Sequence, residues 1–175
     1  LFIGIWAGVA IPLVISEIAG ILIPFIIFSD LQAASLIPLI SLLVTGSFIV
    51  LVFLALAFFI AVLQDDKAKG FGLAITVWFA MALLYDGMIL GISVFFADYP
   101  LELPLLVISS LNPIDLARIF CLIHLDASAL MGYTGAVFQS YFQSVTGSIL
   151  SLSALMVWTT VPLTISLMRF NKKDL

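Results

Sequence analysis

Four stretches of the chain, from about Phe2 to Phe28, Ala34 to Leu63, Phe71 to Ala97 and Val145 to Met168, are apolar almost without interruption. A helix needs about 20 mainly apolar residues to cross the hydrocarbon core of a bilayer, and each stretch exceeds that length. A backbone in lipid must satisfy its own N–H and C=O groups, so only helices and closed barrels span. Barrel strands alternate apolar with polar residues; these runs do not. The sequence therefore specifies an all-α, polytopic transmembrane helical bundle with about four spans. Composition agrees, since 64% of the 175 residues are hydrophobic and 9% charged, against about 25% charged in soluble domains.

Charge and cysteine content narrow the function classes. The net charge is -4, and the six Lys and Arg residues are scattered or terminal, which leaves no basic surface for tracking a phosphate backbone. Nucleic acid is not an expected partner; the lipid bilayer is. Cys121 is the one cysteine, so neither an intrachain disulfide nor a cysteine metal cluster can form. The chain begins at Leu1 within an apolar run, without an initiator Met or the charged region of a signal peptide. It reads as an N-terminally incomplete fragment of a single transmembrane domain covering residues 1–175.

Leu103 to Leu125 is long enough to span, yet it carries Asn112, Asp115 and Arg118 near its middle. A central Asp or Arg disfavours insertion by about 2.5–3.5 kcal/mol each. Asn112-Pro113 reads instead as a helix start, with Asn as N-cap, Pro at the first helical position and Asp115 facing the positive end of the helix dipole. A short helix from about Pro113 to His124 is expected. Basic residues in short loops mark the cytoplasmic side. Lys67 and Lys69 lie between spans two and three, and Arg169, Lys172 and Lys173 follow span four. Both places belong on one side only if residues 101–143 do not span. That region, with acidic Asp98 before it, Pro104, and a turn from Gly132 to Gly135, is expected outside, and Leu1 inside.

Several polar residues compete for functional roles. Asp86 falls near the middle of span three, where an ionisable group marks a substrate path or proton relay, or serves as interhelical hydrogen-bond glue. Glu17 occupies the middle of span one between Pro12 and Pro24, which should kink that helix; it is a second pathway or packing carboxylate. The Gln64 to Gly70 loop, with Asp65, Asp66, Lys67 and Lys69, is either a docking surface or a solvated turn. His124, the lone histidine, falls short of the three or four ligands a metal site needs. Met131, Met156 and Met168 do not cluster as soft-metal ligands would. No phosphate-binding Gly-x-x-x-x-Gly-Lys loop, Gly-x-Ser-x-Gly elbow or His-Glu-x-x-His pair is present. The chain is read as having no self-sufficient catalytic machinery, metal or cofactor of its own.

The segments Trp78 to Gly91, Leu111 to Ile119, Gly132 to Ala136, Trp158 to Pro162 and Arg169 to Leu175 occur in a recognisable order. The Asn-Pro-x-Asp-x-x-Arg element and the Phe-x-Lys-Lys-Asp-Leu ending are the most distinctive. Together they resemble the NosY-type permease of the ABC-2 class, from the ATP-driven system that matures nitrous oxide reductase. The resemblance implies a homodimeric permease in a bacterial or archaeal cytoplasmic (inner) membrane, with about two spans preceding Leu1. It implies a separate cytoplasmic ABC ATPase subunit that binds ATP and Mg and docks on Asp65, Asp66, Lys67 and Lys69. It implies gate helices within 101–143, with Asn112, Pro113, Asp115 and Arg118 as outer-gate residues, beneath a periplasmic partner involved in copper-centre assembly. The substrate stays open among copper, a sulfur species and a mechanical signal. Two rivals stay open as well: a stand-alone channel or secondary transporter, and an intramembrane enzyme, for which the nucleophile–base pair is missing.

Overall fold

The computed structural model describes residues 1–28, 36–124 and 145–173. The elements are α1 (Phe2–Phe28), α2 (Leu36–Leu63), α3 (Lys67–Phe79), a π-helical turn (Ala80–Leu84), α4 (Tyr85–Phe95), α5 (Glu102–Ser110), α6 (Pro113–His124) and α7 (Val145–Lys173). No strand occurs among the described residues. Four segments are long and apolar enough to cross a membrane: Phe2–Ile27, Leu36–Leu63, Lys67–Phe95 and Gly147–Lys172. The third is α3, the π turn and α4 running on as one rod. The expected spans are thus present, and the expected turn at Gly132 to Gly135 lies outside the described residues. One boundary is corrected. The third span starts at Lys67 rather than Phe71, because the Asp66 carboxylate caps it, accepting from the Ala68 N–H at 2.8 Å and the Lys69 N–H at 3.4 Å. The polar loop shrinks from Gln64–Gly70 to Gln64–Asp66.

Helix α2 is the hub, packed on α7, α6 and α1. Within the bundle Leu116, Ala117 and Ile119 of α6 meet Leu155 of α7, flanked by Phe48 and Ile49 of α2. Apolar side chains gain little from leaving lipid for protein, so close packing and polar contacts must hold helices together. The third span differs from the hub: no residue of α3, the π turn or α4 is buried. Helix α1 runs unbroken through Pro12 and Pro24.

Aromatic contacts fix which ends lie together. The Phe2 ring packs on Phe58 near the end of α2, with centroids 5.5 Å apart, and on Phe170 near the end of α7, at 5.3 Å. The start of α1, the Gln64–Asp66 loop and the basic end of α7 therefore share one end of the bundle, as the parity of charged loops required. Helices α5 and α6 approach from the other end. They form a hairpin whose turn at Leu111–Asn112 is its deepest point. Ile108 lies beside Tyr85, Asn112 beside Met81 and Arg118 beside Asp86. Met81 lies roughly 20 Å along the rod from Phe95, at about 1.5 Å per residue. The hairpin is thus re-entrant: too short to cross, yet inserted well into the bundle.

Candidate functional site

The re-entrant tip is built from a cap. Asn112 stands just before α6, and its Oδ1 accepts the Ile114 N–H at 3.0 Å, as an N-cap side chain does. Pro113 follows at the position where a missing N–H costs nothing. Both residues are buried, Asn112 at 2% exposure. The cap leaves the Asn112 amide free to donate, and its Nδ2 reaches the Met81 carbonyl at 2.7 Å. Met81 belongs to the π turn, closed by the Tyr85 N–H donating to the Ala80 carbonyl. Such wide turns perturb the i to i−4 ladder and make carbonyls accessible to outside donors.

Next to that contact lies a charged cluster. The Arg118 guanidinium grips Asp86 with two bonds, Nη2 to Oδ1 at 2.7 Å and Nη1 to Oδ2 at 2.9 Å, the bidentate arrangement in which Arg–carboxylate pairs are strongest. Nη2 also donates to Asp115 Oδ1, one turn back on α6. Asp86 and Asp115 thus share the Arg118 Nη2. Their exposures differ sharply: 39% for the Asp86 side chain, 46% for Arg118 and 4% for Asp115. Burial first, and then the hydrogen bond with Asp86, push the Asp115 carboxyl up to about 6, against the pull of the Arg118 guanidinium. The Tyr85 hydroxyl closes the group by donating to the Ile108 carbonyl at 2.5 Å. Chemically the cluster can clamp the hairpin to the third span and exchange a proton. Asn112 joins the two elements as well, through its bond to Met81.

From sequence Asp86 is a pathway or packing carboxylate, and the family resemblance implies a gate of Asn112, Pro113, Asp115 and Arg118; the structure brings all five together. Glu17 does not join them. Its Oε2 accepts from the Ser47 hydroxyl on α2 at 3.0 Å, while Oε1 is buried without a hydrogen-bond partner among the described residues and presses against Gly46. A Cβ on Gly46 would collide with that oxygen. His124 is engaged locally, its Nδ1 at 2.8 Å from the Phe120 carbonyl and its ring stacked on Phe120 at 4.3 Å. No group of three or more His, Cys, Asp or Glu side chains able to hold a metal ion occurs among the described residues. At the far end Asp66 and Lys67 help to line a cleft of about 310 Å³ between α2 and α3, with Ala57, Ile60, Ala61 and Phe71; Asp65 and Lys69 are not part of its lining.

Sequence reasoning missed Tyr85, Met81, Gly46 and Ser47. A charge count could have paired Arg118 with Asp86, since one cation and one carboxylate stranded in neighbouring apolar stretches should seek each other. Nothing in Ala80–Leu84 announces the π turn.

These features define a multi-pass helical membrane protein with a re-entrant polar hairpin. The family model described as ABC-2 family transporter protein matches residues 2–175, and the chain belongs to that family. It is a membrane permease of an ABC transporter. No curated protein and no solved structure matches it.

Proposed function

We propose that this chain is the permease subunit of an ATP-driven system that supports maturation of the copper centres of nitrous oxide reductase. The family match over residues 2–175 carries the transport part of this reading; the ordered motifs of Trp78–Gly91, Leu111–Ile119 and Arg169–Leu175 carry the NosY-type part. The permease works as a homodimer in the inner membrane of a bacterium or archaeon. A separate cytoplasmic ATPase binds ATP and Mg and docks on the end bearing Asp65, Asp66, Lys67 and Lys69. The hairpin faces a periplasmic partner and acts as the outer gate. Closure of the ATPase pair tilts the spans, and the gate responds where Asn112, Asp86 and Arg118 tie it to the third span. The cargo is copper, a sulfur species or a mechanical signal passed to the periplasmic partner.

The test is co-expression of the permease with its neighbouring ATPase subunit and nitrous oxide reductase. A co-purifying ATPase, and a reductase lacking its copper centres when the permease is deleted, are expected. Arg118→Ala should reduce reductase maturation while the complex still assembles. A permease that purifies alone and transports without nucleotide would replace this reading with a channel or secondary transporter.

A further inference from the structure

Two carboxyl groups, Asp86 and Asp115, converge on a single guanidinium, Arg118. With both ionised the cluster holds one negative charge in excess, and the Asp115 share of it is enclosed at 4% exposure. We propose that Asp115 is a proton-operated lock: protonated, it donates to Asp86 and lets Arg118 clamp the hairpin to the third span, and when it loses that proton the clamp loosens. The inference rests on the hairpin being the outer gate and adds its regulation, by the acidity of the compartment on the hairpin side.

Among the described residues the surroundings offer no second counter-charge. Helix α2, against which α6 packs, contains no Asp, Glu, Lys, Arg or His. On α7 Arg169 and Lys172 stand at the opposite end of the bundle. Glu102 opens α5 at the end remote from the tip. Tyr85 faces Asp115 but commits its hydroxyl proton to Ile108. On α6 itself His124 bonds to the Phe120 carbonyl and Cys121 faces Ser41. The charge state of the cluster is therefore set by Asp86, Asp115 and Arg118.

The direction follows from linkage. In the clamped state Asp115 titrates at about 6; in a released hairpin it meets water and titrates near the ordinary Asp value of about 3.9. The clamped state holds more protons between those values, so it is favoured as pH falls through about 6 and loses that advantage as pH rises past it. Acid locks the gate and neutrality frees it.

Hydrogen exchange on the full-length permease with its ATPase in lipid nanodiscs tests this. Protection of the α6 amides, each rate divided by its intrinsic rate at the same pH, is followed from about pH 4.5 to about 7.5, a window that brackets the Asp115 titration. On the order of tenfold greater protection is expected at the acid end, with α2 unchanged. Asp115→Asn, a neutral donor of the same shape, should give protection that no longer varies with pH. A flat profile in the native protein overturns the proposal without reference to any variant, and so does a profile that Asp115→Asn leaves intact. Coupled ATPase activity separates the two readings. If exchange titrates but activity ignores Arg118→Ala, the gate reading fails and the lock stands; if activity needs Arg118 while exchange is flat, the lock alone fails.

Discussion

Two carboxylates lie within the spans, and they are accommodated in opposite ways. Asp86 is met by a full opposite charge in bidentate geometry, by a second carboxyl group and by an inserted hairpin. Among the described residues Glu17 is met by one hydroxyl and the bare backbone of Gly46. An ionisable group in apolar surroundings must be paired, neutralised or hydrogen-bonded, and the two sites show the strong and weak forms of that requirement. Pairing Asp86 requires a separate structural element to bring the cation, which makes the pair a junction between parts that can move apart. Seating Glu17 requires only a neighbour without a side chain, which makes that contact a fixed packing feature between α1 and α2. The difference predicts where function and where stability will be lost.

The largest effect is expected from Arg118→Ala. It leaves two carboxyl groups facing each other without a cation. Removing one member of a buried pair costs about 3–5 kcal/mol, but Arg118 and Asp86 are 46% and 39% exposed, so screening reduces this to about 2 kcal/mol. Unfolding by SDS titration in bicelles measures the loss, and protease access to α5 and α6 should rise in parallel. Asp86→Asn in the same background should restore part of the stability by removing the surplus charge. Equal losses in the single and double variants would mean that the pair does not couple, and the contrast with Glu17 would collapse.

Gly46→Ala attacks the other site. A methyl group placed against Glu17 Oε1 must displace the side chain or push α1 from α2, and overpacking of this kind costs about 1–3 kcal/mol. Adding Glu17→Ala removes the obstruction, so the double variant should recover most of the loss in the same unfolding assay. Additive losses would show that Gly46 is small for another reason.

How much of this was legible in the sequence depends on the range of the interaction involved. The four spans follow from apolar length, and α6 begins at Pro113 as the local cap chemistry of Asn112 required. A local rule also explains the earlier start of α3, since the Asp66 carboxylate accepts from the Ala68 and Lys69 N–H groups although Lys67 and Lys69 are poor first-turn residues near a positive helix end. The descent of the hairpin was not legible. A charge count can pair Arg118 with Asp86, but they are separated by the third span's end, a loop and α5, and no period or cap sets the depth at which they meet. The π turn is equally silent, since Ala80–Leu84 holds neither Pro nor Gly; the Met81 carbonyl is engaged by an amide from far along the chain. From sequence Asp86 therefore stands apart, as a pathway or packing carboxylate, from the gate residues that the resemblance implies.

Asn112→Ala tests whether that long-range contact matters beyond the cap. The variant loses both the cap to Ile114 and the donor to Met81, for about 1–2 kcal/mol. Asn112→Asp keeps an acceptor for Ile114 but cannot donate to the Met81 carbonyl. If the Met81 bond holds the hairpin, both variants should expose α5 and α6 to protease; if Asn112→Asp behaves like the native protein, the cap alone matters and the π turn is incidental to the gate.

The smallest effect should come from Ser47→Ala. The Ser47 hydroxyl is the hydrogen-bond donor that Glu17 receives, at 3.0 Å, and interhelical hydrogen bonds in membrane proteins contribute about 0.6 kcal/mol on average. A loss of that size, with transport unchanged, fits a carboxyl group seated chiefly by shape against Gly46. The same reasoning ranks Ser47→Ala well below Gly46→Ala, because deleting a weak donor leaves the α1–α2 contact intact whereas filling the glycine site must displace the Glu17 side chain or push the helices apart. Should Ser47→Ala instead match Arg118→Ala in stability and in coupled ATPase activity, Glu17 would depend on the Ser47 hydroxyl as strongly as Asp86 depends on the guanidinium. Span one would then carry a second functional junction rather than a packing contact, and the division between the two carboxylates would have to be redrawn.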